Sequence, residues 1–395
     1  MRMSIQTITY LMQAPISQKE FGTLGVEFFH GKGLRVQVWD CSPFLNPSLK
    51  PGDERVFLQN IEVERPASPQ ILLEKHDGSP FGAIVNLLPR NFKTIFLFAA
   101  LNNSAAHTVE VRTNAVPAGP GQLAARLRKL SPGRVVDFIV RNPKIWQKLA
   151  GIPGRIIYGG AVMCPAPGEC GRAISAHALD YEVWLEFLAG RGMSPADARS
   201  ADFPAAKPKH IVFLDQNLPF HGDFAIQKRR VPATEERYFP ALRRFFDRLE
   251  QNTGLPVVIA AHPRARYSQA GYSGPDYFGG RRLISGQTLP LIFDSALALT
   301  HYSTAVNFAV MAQKPLLLLS SNEIERSEGH IIRSMGAHLG APIVNIDRPD
   351  EFFPAGLPQA NQEAYARYFH NYIKEEGSPE KPFWQILLDD LQNRA

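Results

Sequence analysis

The stretch Val257–Arg266, VVIAAHPRAR, is an unbroken apolar run that ends abruptly in a histidine, a proline and two arginines. A run of this length and β-branched content, bounded by Pro256 and Pro263, reads as a strand over Pro256–Ala261 buried on both faces. Such strands belong to parallel sheets covered by helices on both sides. Similar short runs stand on either side of it. His210–Asp215, Leu297–Thr300, Pro315–Ser320 and Pro342–Ile346 read as further strands. Thr234–Asn252 reads as an amphipathic helix with Thr234 as its N-cap, and a helix is expected from about Ala305 to Gln313.

The first half repeats the alternation. Strands are expected at Thr7–Ala14, Leu34–Asp40, Ala83–Leu88, Thr94–Ala99, His107–Val111 and Arg155–Met163, with a helix over Gln18–His30 ended by Gly31 and Gly33. Leu123–Leu149 reads as helical and basic, and two helical patterns close the chain at Gln362–Glu375 and Pro382–Asn393. The stretch Gly190–Lys209, rich in Gly, Pro, Ala and Ser, is the expected linker. The fold class is therefore α/β, with two Rossmann-like domains facing across a cleft. The expected boundaries are 1–204, 205–378 and a final helical segment 379–395.

The chain has 395 residues, which favours two domains over one, and 45% of them are apolar, which excludes disorder as the main state. A net charge of +6 suits anionic ligands and is too small to imply nucleic acid as a partner. The three cysteines Cys41, Cys164 and Cys170 make no even framework, which fits a reducing, cytoplasmic setting. No signal peptide and no apolar run long enough to span a membrane is read from the sequence. No zinc spacing, no phosphate-binding GxxxxGK[ST] loop and no DxD-like pair occurs, so neither a metal nor a bound cofactor is expected. The lack of G-x-G-x-x-G after a strand of the first half argues against an NAD enzyme.

The chemistry is expected at the carboxyl ends of the strands of the second half. Pro263 holds His262 extended and presents its ring, which suits a general acid or a phosphate donor. Arg264 and Arg266 follow with guanidinium forks that match phosphate. Downstream, HYSTAVNFAVMAQKP at 301–315 places Tyr302, Ser303 and Thr304 between a strand and a helix, where hydroxyls and unpaired amides favour an anion. The plainer reading makes Ser303 or Thr304 a helix cap. Asp215, in LDQNLPFHGD, is the candidate base, with Asp40 in VWDCSP and Asp180 in HALDYE as alternatives. His177 and His221 are weaker, loop-borne candidates. Asp294 and Ser295 are read either as contacts to a ribose or as having no role.

AHP at 261–263 together with HYSTAVNFAVMAQKP resembles the paired HP and Ser-Ser/Thr motifs of bacterial glycosyltransferase-B-type transferases that use CMP-activated donors. Such pairs occur in sialyltransferases, capsule Kdo transferases and CDP-glycerol glycerophosphotransferases. The resemblance covers residues 210–320. It implies that His262 contacts the donor phosphate and assists departure of CMP, and that Ser303 and Thr304 hold the same phosphate. It also implies that the last helix crosses back to the first domain with Phe383, Trp384, Ile386, Leu387, Leu388 and Leu391 as its apolar stripe. The acidic D/E-D/E-G triplet of some of these families is absent from residues 210–320, which the resemblance covers.

The expected function is thus metal-independent transfer of a nonulosonic acid or Kdo from its CMP conjugate to a surface polysaccharide or lipopolysaccharide. The alternatives are CDP-glycerol or UDP-sugar transfer on the same fold, or a non-catalytic nucleotide-sugar or glycan-binding subunit. The expected partners are the nucleotide-sugar donor and a glycan or lipid-linked glycan acceptor. The basic run Arg126, Arg128, Lys129, Arg134, Arg141, Lys144 and Lys148 is read either as a solvated helix face or as a peripheral contact with the inner membrane surface.

Overall fold

The computed structural model describes residues 5–16, 18–47, 61–75, 82–104, 107–117, 142–199, 208–222, 224, 229–269, 271–349 and 356–394. Of the basic run, Arg126–Arg141 lies outside the described residues. Contacts divide the chain into two units. The first takes the residues through Thr113, those up to Leu179, and Lys374 onward, while the second runs from Asp180 to Ile373 and also takes residues 114–117.

In the first unit the strands are β1 (Thr7–Met12), β2 (Arg35–Asp40), β3 (Glu62–Glu64), β4 (Gly82–Asn86), β5 (His107–Arg112), β6 (Arg155–Gly159) and β7 (Ala173–Ala176). They pair in parallel in the order β3-β2-β1-β4-β5-β6-β7. Because side chains alternate along a strand, each central strand feeds two cores. Tyr10, Val38 and Val85 enter one with Phe29, whereas Leu11, Trp39 and Ile84 enter the other with Phe98 and Trp146.

The helix expected over Gln18–His30 forms as two pieces, Gln18–Thr23 and Val26–Gly31. Gly25 sits between them at φ 64, a left-handed conformation that glycine adopts without strain, and a side chain there would run into the Trp384 ring. Trp384 belongs to the final helix, Phe383–Arg394, which lies in this unit's core with Phe383, Leu387, Leu388 and Leu391. Its indole N–H donates to Thr23 O at 2.9 Å, and its ring meets Tyr10 edge-on at 5.8 Å. Each large apolar side chain buried in this way contributes about 1.5 to 3 kcal/mol.

Two expectations change here. Thr94–Ala99 is not a strand: Ile95–Asn102 is a helix that buries Ile95, Leu97, Phe98 and Leu101. A short continuous apolar run carries no period that separates a buried strand from a buried helix. The local signal is the turn before it, where Asn91 Oδ1 accepts from Lys93 N at 2.9 Å and Thr94 N at 3.2 Å. The division between units also falls at Leu179/Asp180 rather than at 204/205. Helix Leu179–Ala189 stacks Trp184 and Phe187 on Phe293 of the second unit, at 6.0 and 5.1 Å, which draws this stretch out of the first. At the other end, Lys374 rather than residue 379 begins the return to the first unit, beside the bridge between His177 and Lys374.

In the second unit the strands are β8 (Ile211–Leu214), β9 (Val257–Ala260), β10 (Leu283–Ile284), β11 (Leu297–Thr300), β12 (Leu316–Ser320) and β13 (Ile343–Asn345), all parallel in the order β10-β9-β8-β11-β12-β13. The four residues of β8, β9 and β11 are buried throughout. Helix Glu235–Thr253 packs Phe246 on Phe213 at 5.2 Å and ends at Gly254 in the left-handed conformation. Thr234 precedes this helix as expected but does not cap it, since its hydroxyl donates to Glu323 at 3.0 Å. The chain leaves β8 toward β9 on one side and enters β11 on the other, so the strand order reverses between β8 and β11. In open α/β sheets the crevice outside the carboxyl ends at that reversal is where ligands bind.

Candidate active site

Three strand ends meet at this reversal. β9 runs into His262, β8 into Asp215 and Gln216, and β11 into His301, Tyr302 and Ser303. With adjacent strands about 4.8 Å apart, the β9 and β11 loops stand about 10 Å from each other with β8 between them. The two residues after β8 hold both loops. Asp215 Oδ2 accepts from His262 N at 3.1 Å, and Gln216 Oε1 accepts from Tyr302 N at 2.9 Å. The two motifs expected to act together are thus tied to one dipeptide of the intervening strand.

His262 is half-buried. Its Nδ1 lies 3.2 Å from the backbone N–H of Arg264, which makes that nitrogen the acceptor and leaves Nε2 as the N–H donor of the neutral ring. His221 lies beside it, ring centroid to ring centroid 5.0 Å. The structure thus brings the loop-borne candidate His221 against the His262 ring, while Pro263 and Arg264 are exposed.

Asp215 differs from the expectation of a base. Only 6% of it is exposed, and both oxygens are occupied, Oδ1 by Asn217 N at 2.9 Å and Oδ2 by His262 N and by the Tyr267 hydroxyl at 2.7 Å. Burial pushes its pKa up, against the N–H and O–H donors that pull it down. The carboxylate thus faces its own loops, and one of its oxygens holds the His262 backbone. Asn217 next to it takes the left-handed conformation at φ 51 and is 4% exposed, with its Oδ1 buried and unpartnered among the described residues.

The alternative bases are placed elsewhere. Asp40 closes β2 in the first sheet, where Arg65 Nε donates to it at 3.1 Å and Ser42 N at 2.9 Å. Asp180 accepts from the Asn307 amide at 2.9 Å, and Asn307 in turn accepts from the Tyr368 hydroxyl at 3.1 Å, so it anchors the helix that follows Ser303. His177 is not on an open loop. It is fully buried in the first unit with Nε2 3.0 Å from Lys381 O. Asp294 and Ser295 precede β11 and lie at the opposite edge of the sheet from Ser303.

On the β11 loop, Ser303 Oγ accepts from Ala305 N at 3.2 Å at the start of helix Val306–Met311, and Thr304 is exposed. Tyr302 differs from the expectation of a phosphate ligand. Its hydroxyl is buried without a hydrogen-bond partner among the described residues, and burial and the nearby Glu328 push its pKa up, so it packs the loop from inside. His301 is a core residue whose Nδ1 donates to Leu319 O at 2.7 Å while Nε2 accepts from the Tyr238 hydroxyl at 2.8 Å. Complete burial lowers its pKa to about 4, so it is neutral.

Sequence reasoning missed Gln216 and Tyr267. The first had a signal, since a polar Asp-Gln-Asn triplet directly follows a wholly apolar strand. Tyr267 had none, because its role depends on a partner 52 residues away.

No protein-family model matches the chain, and no curated protein matches it. Solved structures do. The chain is similar to the wall teichoic acid polymerase TagF soaked with CDPG, with 12% identity over 100% of this chain and 90% of that one at a TM-score of 0.55. It is also similar to MurG of Acinetobacter baumannii, with 11% identity over 98% of this chain and 99% of that one at a TM-score of 0.50. These likenesses show the fold, which is two parallel-sheet α/β domains of glycosyltransferase-B type.

Proposed function

We propose that the chain is a glycosyltransferase that moves a sugar, a nonulosonic acid or Kdo, from its CMP conjugate to a surface-glycan acceptor. The observation that carries this reading is the Asp215–Gln216 dipeptide, which fixes the His262 loop and the Tyr302–Ser303 loop on either side of the strand-order reversal. Departure of CMP places negative charge on a phosphate. An imidazole that donates through Nε2, with the Ser303 and Thr304 hydroxyls and the Arg264 guanidinium, stabilises such charge without a metal. The second unit is then the donor domain and the first the acceptor domain. Incubating the protein with a CMP-sugar and measuring CMP release, in the presence of a metal chelator, tests this directly. Release that His262→Ala reduces supports the reading, and no release with any CMP-sugar argues against it.

A second reading is transfer of glycerol phosphate from CDP-glycerol. The observation behind it is the likeness to TagF, at a TM-score of 0.55 over the whole chain. Both readings share a cytidine nucleotide as leaving group and differ in whether CMP release requires the sugar or the glycerol conjugate.

For a lipid-linked acceptor the first unit offers a peripheral surface. No helix among the described residues is long and apolar enough to cross a membrane. Phe96 is 82% and Leu149 52% exposed on the contacting helices Ile95–Asn102 and Pro143–Ala150, beside exposed Lys93, Lys144 and Lys148. Aromatic anchors with adjacent lysines fit reversible contact with an anionic inner leaflet, each cation adding about 1 kcal/mol. Sedimentation with anionic vesicles tests it: binding weakened by Phe96→Ser supports the contact, and no binding at low salt opposes it.

A further inference from the structure

The chain passes from the first unit to the second at Leu179/Asp180 and returns at Ile373/Lys374. These two passages lie side by side. His177 pairs with Lys374 as an antiparallel bridge just before Asp180, and Tyr181 meets Phe369 edge-on at 5.8 Å just beyond it. Phe369–Ile373 takes the rare π-helical geometry, which occurs mostly at functional positions.

Both passages are tied to one side chain. Asn307 is 1% exposed; its amide N–H donates to Asp180 Oδ2 at 2.9 Å, and its Oδ1 accepts from the Tyr368 hydroxyl at 3.1 Å. The amide orientation is forced, because a carboxylate only accepts and the amide nitrogen must therefore face Asp180. Burial and the nearby Asp180 push the Tyr368 pKa up, so the hydroxyl keeps its proton and stays the donor. A carboxylate at 307 would repel Asp180, and an aliphatic side chain would strand both partners.

The backbone of the same residue belongs to the turn assigned above to the donor phosphate. Asn307 N donates to Thr304 O at 3.0 Å, and Val306 N donates to Ser303 O at 3.3 Å. Helix Gln362–Tyr368 is tied a second time past the far end of Val306–Met311, where the Tyr365 hydroxyl donates to Lys314 O at 2.8 Å. Thr304 is exposed and Ser303 half-buried, so the turn is open to a ligand while the Asn307 side chain behind it is not.

We propose that Asn307 is a positioning residue that couples the Ser303–Thr304 turn to the two passages, so that a nucleotide phosphate on the turn stiffens residues 177–184 and 366–376. The inference rests on the donor site proposed above. An opening of either passage that pulls Asn307 out of line also disturbs the turn, and a ligand that needs the turn intact opposes that opening.

Hydrogen exchange of the full-length protein, without CMP and with CMP at about 100 times its dissociation constant, tests the coupling. Exchange at 300–306 is expected to slow by up to about 100-fold, and at 177–184 and 366–376 by at least about threefold, the scale of one net hydrogen bond. Tyr368→Phe, which keeps the ring, should abolish the slowing at 366–376 and leave it at 177–184, and Asp180→Ala should do the reverse. Asp180→Asn keeps an acceptor for Asn307 and should retain both. A bond with a structural role alone would, when removed, speed exchange equally with and without CMP. Slowing at 300–306 alone, or slowing at the passages that neither Tyr368→Phe nor Asp180→Ala changes, overturns the coupling and leaves the donor site standing. No slowing at 300–306 overturns the donor-site reading and the coupling with it.

Discussion

Asp40 and Asp215 each stand at the carboxyl end of a buried strand, one in either sheet, and each accepts from the backbone N–H two residues on, Ser42 N and Asn217 N, at 2.9 Å in both cases. They differ in what meets the other oxygen. Asp40 takes the Arg65 side chain, itself 36% exposed, so a cation within reach of water balances its charge. Asp215 takes the His262 amide and the Tyr267 hydroxyl, and the described partners include no cation. The same turn device therefore closes a strand in the first sheet and holds the His262 loop of the candidate site in the second. Two sheets of similar order carry different duties because of the partner that one carboxylate oxygen finds.

The comparison breaks most visibly on removing the carboxylates. Asp215→Ala strands two buried N–H groups and a buried hydroxyl, and chemical denaturation is expected to show a loss of about 3 kcal/mol. Asp40→Ala, next to a partly hydrated Arg65, should cost about 1 kcal/mol in the same experiment. Equal losses would remove the distinction. His262→Ala separates the loop from its anchor: turnover should fall by about 10²-fold or more with stability nearly unchanged, because the ring is half-buried and, on the proposed function, supplies charge stabilisation rather than packing. A fully active His262→Ala protein would take the histidine out of the chemistry.

His301 sharpens the contrast between the two histidines of the second sheet. Its pKa in the folded state is lowered to about 4, against about 6.5 when unfolded. A depressed histidine favours folding above its unfolded pKa, and that contribution is lost as pH falls toward the folded value, at up to about 1.4 kcal/mol per pH unit. His301→Gln keeps an acceptor for Tyr238 and a donor for Leu319 O. Denaturation between pH 6.5 and 4.5 should therefore show a shallower loss for the variant by about that slope. Parallel curves would mean that His301 is not held neutral.

Strands β8, β9, β11 and β12 of the second sheet are legible because they are buried throughout and read as apolar runs. β10 is only Leu283–Ile284 and β3 is Glu62–Glu64 at a sheet edge, too short or too polar to leave a pattern. The helix at Ile95 was misread since a run such as IFLFAA has no period of its own. At the site, His262 and Ser303 were legible from residue type and place on the strand ends. The turning of Asp215 inward and of the Tyr302 hydroxyl into the core was not, because each is decided by residues far away in sequence.

The central claim is that the strand-order reversal of the second sheet holds the phosphate of a cytidine nucleotide. Calorimetric titration of the wild type with CMP, CDP, UDP, GDP and ADP, repeated on a Ser303→Ala, Thr304→Ala double variant, tests it most directly. The expected result is a preference for the cytidine nucleotides, weakened about tenfold in the double variant and less by either single change. No preference for cytidine, or an affinity unchanged in the double variant, would contradict it.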